Sequence, residues 1–142
     1  MTERSPRLSE PSVATVLGPL GAAVMRVLWS GGEVTLSSLI ERLSTERRTP
    51  AYTTVTTILT RLRERGLVDR TRRGREAVYR ASMSEPELIE TSSSRAVDEL
   101  IARYGASAMR HFAERLADAD PELQRELAAL AQSRSRHEQA KR

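Results

Sequence analysis

The stretch YTTVTTILTRLRER, residues 52–65, decides the fold class. Its apolar residues Val55, Ile58, Leu59 and Leu62 follow i, i+3, i+4 and i+7, which predicts an amphipathic helix with one face against a core. At about 100° per residue, the opposite face is polar and carries Thr53, Thr56, Thr57, Thr60 and Glu64. Threonine is a mediocre helix former because its χ1 is stiff. Helix stability therefore does not explain this face.

Two helices are predicted before this stretch. The first starts at Pro19 and follows an apolar period to Trp29, which is expected in the core, before the Gly31-Gly32 break. Thr35 then caps a second helix that ends by about Arg47. Val34 and Thr35 form a very short strand between them.

A hairpin is predicted after the third helix. Gly66 ends that helix, and two strands, residues 67–72 and 76–80, flank a basic tip at Arg73-Gly74-Arg75. The order helix, short strand, helix, helix, hairpin is typical of a winged helix-turn-helix, in which the third helix enters the DNA major groove.

Three short amphipathic helices are predicted from residue 83 onward. Ser84 and Glu87 form a capping-box pattern, Gly105 interrupts the long first helix, and Asp120-Pro121 starts the last one. These helices hold too few large apolar residues for a core of their own, so we expect them to pair with a second copy of the chain. The residues expected in that contact are Leu88, Val97, Leu100, Ile101, Met109, Phe112, Leu116, Leu123 and Leu127.

The predicted fold class is therefore mainly α (α+β). A disordered tail is expected over residues 1–16, a winged helix-turn-helix domain over 17–82, and a helical dimerisation region with a frayed C-terminus over 83–142. The sequence has no cysteine, no apolar N-terminal signal and no membrane-spanning run, which predicts a cytoplasmic protein without membrane insertion.

The positive charge is concentrated in one segment. Between Arg47 and Arg80 there are ten arginines and three acidic residues, whereas residues 83–142 hold nine basic and eleven acidic residues. A basic patch of this kind favours a polyanionic partner, most commonly nucleic acid.

Threonine and arginine suit DNA for different reasons. A threonine hydroxyl can contact phosphate or a base edge and its methyl can contact thymine, while arginine forms charge-assisted bonds to phosphate. The candidate DNA-binding residues are Tyr52, Thr53, Thr54, Thr56, Thr57, Thr60, Arg61, Arg63, Arg72, Arg73 and Arg75.

Simpler interpretations stay open for each group. The threonines could form a solvated face whose hydroxyls bond to the i−4 carbonyls. The wing arginines could be a soluble hairpin tip, and Tyr52 could pack under the domain rather than donate to phosphate.

Catalysis is not indicated. His111 and His137 are far apart and lack metal-ligand spacing, and no phosphate loop or nucleophile motif is present. The sequence predicts no enzyme activity, no metal and no cofactor.

The residues LGAAVMRVLWS (20–30), AYTTVTTILTRLRER (51–65) and Gly66-Leu67-Val68 resemble the BlaI/MecI/CopY penicillinase-repressor family over about residues 17–131. The resemblance implies a homodimeric repressor on a dyad-symmetric DNA operator, of β-lactam or cell-envelope stress genes. The alternative is a helical protein–protein interaction adaptor without sequence-specific DNA binding.

The resemblance also bears on release from DNA. It implies a membrane sensor protease as partner and cutting at His111-Phe112, where penicillinase repressors have an Asn-Phe pair, although this chain contains no asparagine. Copper-responsive members bind Cu(I) through cysteine pairs, which this chain lacks. Some members have a long basic side chain at the position of Thr56, so the operator sequence is expected to differ from theirs.

Overall fold

The structure is a computed structural model that describes residues 11–141. The elements are α1 (Val13–Leu17), α2 (Pro19–Gly31), β1 (Val34–Thr35), α3 (Leu36–Leu43), α4 (Tyr52–Glu64), β2 (Val68–Arg73), β3 (Glu76–Ala81), α5 (Glu85–Tyr104), α6 (Ala106–Ala117) and α7 (Pro121–Ala140). The predicted fold class, mainly helical with a small antiparallel sheet, is confirmed. The chain divides into two compact units, one covering Glu10–Arg95 and the other containing the residues from Ala96 onward.

The first unit holds one hydrophobic core. α2, α3, α4 and the sheet each bury an apolar face in it, because their apolar residues recur at the period of the element that carries them. Its buried members are Val13, Ala22, Val24, Met25, Leu28, Val34, Leu39, Val55, Leu59, Leu62, Leu67, Val68, Tyr79 and Leu88.

The prediction of a disordered tail is wrong for residues 13–16, the last four residues of that tail. Residues 13–17 form α1, Val13 is buried in the core, and the Ser12 hydroxyl accepts a hydrogen bond from the Thr15 amide at 3.2 Å. One turn and a half is too short to show a helical period, and Gly18 separates it from α2. Residues 1–10 of the predicted tail lie outside the described residues.

The second predicted helix is confirmed at its start and shorter at its end. The Thr35 hydroxyl accepts from the Ser38 amide at 3.2 Å and caps α3, as expected. The helix ends at Leu43 rather than near Arg47. Thr45 and Arg48 instead exchange backbone hydrogen bonds of 2.8 and 3.2 Å, which use the groups that a longer helix would need.

The sheet is antiparallel with strand order β1-β3-β2. β1 pairs with β3 through Val34 and Tyr79, which closes the base of the hairpin against the helices. β2 begins one residue later than predicted and extends to Arg73, so the turn consists of Gly74 and Arg75 alone.

The capping box that starts α5 is present as predicted. The Ser84 amide donates to the Glu87 carboxylate at 3.1 Å, and the Glu87 amide donates to the Ser84 hydroxyl at 3.3 Å. The first turns of α5 belong to the first unit because Leu88 is only 1% exposed. The Trp29 indole, which packs against the core as expected, donates to the Met83 carbonyl at 2.8 Å. The first unit therefore extends past the predicted boundary at residue 82.

In the second unit the breaks fall where they were predicted. Gly105 has φ +54 between α5 and α6, and the Asp120 carboxylate caps α7 by accepting from the Glu122 amide at 2.9 Å. The Gln124 side-chain amide donates to the Leu116 carbonyl at 2.8 Å, near the end of α6. The helices are not uniformly short, since α5 and α7 each have 20 residues. α7 continues to Ala140, and the expected fraying of the C-terminus stays a prediction.

Candidate nucleic-acid interface

One face of α4 is fixed in the core and the opposite face is free. Val55 is fully buried and Leu59 is 1% exposed, while Thr53, Thr57 and Thr60 are all exposed. The burial pattern follows the period that the sequence predicted for this helix. The first unit thus holds α4 rigidly while its threonine face points to solvent.

The threonine hydroxyls bond back to the helix. Thr57 donates to the Thr53 carbonyl at 2.8 Å and Thr60 donates to the Thr56 carbonyl at 2.9 Å. Thr56 lies within reach of two carbonyls, those of Tyr52 at 3.1 Å and Thr53 at 3.0 Å. The hydroxyl arrangement that the sequence left as an alternative is therefore present at these three positions.

Tyr52 stands at the start of α4 and is 63% exposed. Of its two interpretations from sequence, packing under the domain is wrong for the free chain, because its ring lies at the surface. Thr54, also exposed, lies on the same first turn. Both side chains are available to a molecule that approaches the N-terminal end of α4.

The hairpin forms a wing with a basic tip. Gly74 has φ +64 and Arg75 has a negative φ, the sign pattern of a two-residue type II′ turn. Arg73, at the end of β2, forms an ion pair of 2.5 Å with Glu33, which precedes β1. The wing is therefore tied to the opposite edge of the sheet through a contact that the sequence did not indicate.

A groove of about 530 Å³ connects the wing to the helices. Tyr52 from α4, Ser37 from the first turn of α3, and three arginines of the hairpin, Arg70, Arg72 and Arg75, line it. Within residues 11–141, Arg73 and Arg80 of the hairpin each form an ion pair with an acidic side chain. The three groove arginines form no ion pair there. Glu76 also lines the groove, so its lining has three positive charges and one negative and is net positive toward an anion.

Arg70 and Ser37 were not among the residues predicted from sequence. Arg70 is two residues before Arg72 on β2, so both side chains lie on the same face of the strand. That alternation was a usable signal for Arg70. Ser37 lines the groove because the first turn of α3 lies beside the hairpin, which no local sequence pattern shows.

Arg61 and Arg63 lie in the last turn of α4 and are exposed. Cations at this end of a helix interact favourably with the helix dipole. They stand toward the C-terminal end of α4, whereas Tyr52 begins it. The candidate DNA-binding residues lie on α4 and the wing, and all of them are exposed except Thr56, which is half-buried.

The family model described as penicillinase repressor matches residues 17–133. The chain belongs to this family. The transcriptional regulator BlaI of Mycobacterium tuberculosis, found in two strains, is 36% identical over 121 residues, which cover 82% of this chain and 86% of BlaI. The resemblance stated from the sequence is confirmed, and the chain is a DNA-binding transcriptional repressor of the penicillinase repressor family.

Two solved structures with similarity to this penicillinase repressor family member are the following. A probable transcriptional regulator from Pseudomonas aeruginosa is 26% identical with a TM-score of 0.38, covering 84% of this chain and 83% of that one. NadR in complex with 4-hydroxyphenylacetate is 22% identical with a TM-score of 0.40, covering 68% and 69%.

The second unit of this family member exposes most of its apolar residues. Among the described residues from Ala96 onward, only Ala108 is buried. Residues predicted for dimerisation that are between 38% and 54% exposed are Val97, Leu100, Ile101, Met109, Phe112, Leu116 and Leu127. Leu123 is half-buried. Leu88 was assigned wrongly, because it is buried in the first unit's own core and offers no surface to a partner.

The predicted cleavage position lies inside a helix. His111 and Phe112 are both in the middle of α6, and the His111 ring Nδ1 is 3.1 Å from the Glu114 carboxylate. A protease needs an extended segment, so cutting here requires local opening of α6.

No group of three or more histidine or acidic side chains in residues 11–141 is placed to hold a metal ion. Over the same residues, no helix has the length and apolar content needed to cross a membrane.

Proposed function

We propose that the chain acts as a homodimer that binds a dyad-symmetric DNA operator, with α4 of each chain in the major groove. The exposed threonine face of α4, held by a buried opposite face, is the observation that carries this proposal. An α-helix fits the major groove, where each base pair shows a distinct pattern of groups. Short side chains let the helix approach the base edges closely.

The groove arginines position the helix. Arg70, Arg72 and Arg75 would neutralise phosphates of the strand that passes between the wing and α3. Tyr52 can donate its phenol proton to the same strand. These contacts carry no sequence information, so they set affinity for all DNA while the threonine face sets preference.

The exposed apolar residues of the second unit support the dimer. Side chains such as Leu100, Phe112 and Leu116 are about 40% exposed in the single chain. Contact with the same helices of a second chain would remove this surface from water at about 25 cal/mol per Å². A symmetric dimer then presents two α4 helices, which matches a DNA site with twofold symmetry.

The proposal also covers the genes that the repressor regulates and the event that releases it from DNA. Membership of the family favours β-lactam or cell-envelope stress genes, with a membrane sensor protease acting on the repressor in the cytoplasm. Cutting at His111-Phe112 would separate α7 from α5 and reduce the surface that holds the dimer. This repressor is not proposed to be an enzyme.

The test compares two variants of the full chain on two kinds of DNA. Operator sequences are first selected from a random duplex pool, and affinity is measured by fluorescence anisotropy on a selected and a random duplex. Thr57→Ala should weaken operator binding by about 1 to 3 kcal/mol and leave random DNA unchanged. Arg72→Ala should weaken both duplexes alike and lower the salt dependence by about one ion per chain.

Equal losses on both duplexes from Thr57→Ala would contradict base reading by α4. A selected duplex bound no more tightly than random DNA, with an affinity insensitive to salt, would instead favour the adaptor interpretation.

A further inference from the structure

Two threonine hydroxyls on the exposed face of α4 can accept hydrogen bonds from another molecule but cannot donate them. Thr57 and Thr60 each direct the hydroxyl proton at a carbonyl of the preceding turn, at 2.8 and 2.9 Å. A hydroxyl has one proton, so these two groups keep only acceptor lone pairs for other molecules. Glu64, exposed on the same face, is also an acceptor when ionised.

The methyl group is the other exposed part of each threonine. Thr57 and Thr60 are exposed, and because their Oγ1 atoms bond to the backbone, the Cγ2 methyl is the apolar group that each can offer to another molecule. Two residues three apart on a helix have Cβ atoms about 5–6 Å apart. Base pairs stack at about 3.4 Å along a strand, so the two methyls can reach neighbouring or next-neighbouring base pairs.

We propose that Thr57 and Thr60 read the 5-methyl group of thymine, so that thymine methyls rather than hydrogen bonds from the hydroxyls set the base preference of α4. This inference rests on the proposed function. Guanine shows two acceptors in the major groove and gives nothing to Thr57 and Thr60, whose hydroxyl protons are already bound to the backbone. Both A·T and G·C pairs offer an amino donor, from adenine N6 or cytosine N4, but only thymine supplies a methyl, so the methyl is what favours an A·T pair at these two threonines.

The experiment removes thymine methyls singly. The full chain selects an operator from a random duplex pool, and each thymine of the selected half-site is replaced in turn by deoxyuridine, in both half-sites. Deoxyuridine keeps the hydrogen-bonding edge and lacks only the methyl. At one or two positions the loss should be about fourfold per half-site, or about sixteenfold for the duplex changed in both, and at the other positions the affinity should not change.

Two substitutions at each threonine identify the group that reads. Thr57→Val keeps the methyl and loses the hydroxyl, whereas Thr57→Ser keeps the hydroxyl and loses the methyl. The valine variant should retain the thymine-to-deoxyuridine ratio at its position, and the serine variant should reduce that ratio to about one. Thr60→Val and Thr60→Ser should do the same at a second position.

The possible failures are distinguishable. If the chain selects an operator but no deoxyuridine position changes affinity, or the half-site contains no thymine, the inference is overturned while operator binding stands. If the serine variant keeps the ratio and the valine variant loses it, the hydroxyl reads the base and the inference is again overturned. If no sequence is selected at all, the proposed function fails and the inference with it.

Discussion

Leu88→Ala tests whether the first turns of α5 belong to the DNA-binding unit or to the dimer contact. Leu88 is 1% exposed and packs in the first unit's core. Truncating a fully buried leucine removes its transfer free energy and leaves a cavity, which costs about 2–5 kcal/mol. We therefore expect Leu88→Ala to lower the free energy of unfolding of the first unit by about 3 kcal/mol.

The assay follows urea unfolding by the fluorescence of Trp29, the single tryptophan of the chain. Trp29 packs against the same core and its indole donates to the Met83 carbonyl at 2.8 Å, so its emission reports this unit. With a urea slope of roughly 1–1.5 kcal/mol per M, the loss corresponds to a midpoint lower by about 2–3 M. Measurements at several protein concentrations separate folding from self-association.

Leu100→Ala is the matched control. Leu100 lies on the same helix but is 41% exposed, in the second unit. This variant should leave the Trp29 transition in place and weaken self-association in sedimentation experiments. If Leu88→Ala instead kept the urea midpoint and abolished the dimer, the assignment of Leu88 to the core would be refuted.

Two more predictions concern the wing and the base of the first unit. Glu33→Gln should raise affinity for operator and random DNA alike, by about two- to fivefold at low salt, because it removes a negative charge and releases Arg73; weaker binding would show that Glu33 is needed to orient the wing. Trp29→Phe should lower the free energy of unfolding, followed by circular dichroism, by about 1–2 kcal/mol, since it removes the hydrogen bond to Met83. An unchanged transition would mean that this bond contributes nothing.

Local signals predicted the parts of the fold that local chemistry determines. The apolar period of α4, the Thr35 cap and the Ser84–Glu87 capping box all lie within a few residues of the structure they specify. Each was correct because the interacting groups are neighbours along the chain. The threonine back-bonds were likewise among the stated alternatives, since they connect residues one turn apart.

What the sequence did not predict depends on distant neighbours. Leu88 follows the same apolar pattern as Leu100, and only tertiary structure shows that the two ends of α5 have different surroundings. The ion pair between Glu33 and Arg73 joins residues 40 positions apart that the sheet brings together. Val13 was missed because α1 has only five residues, too few for a period.

The spacing of the two half-sites in the operator tests the central claim most directly. Affinity of the full chain is measured on the selected operator, on the same operator with five base pairs inserted at its centre, and on one half-site alone. Five base pairs turn the half-sites to opposite sides of the duplex, so a symmetric dimer can hold only one of them. We expect the inserted duplex to bind no better than the half-site, at least 100-fold more weakly than the operator. Equal affinity for the operator and the inserted duplex would contradict a dimer that reads both half-sites through α4.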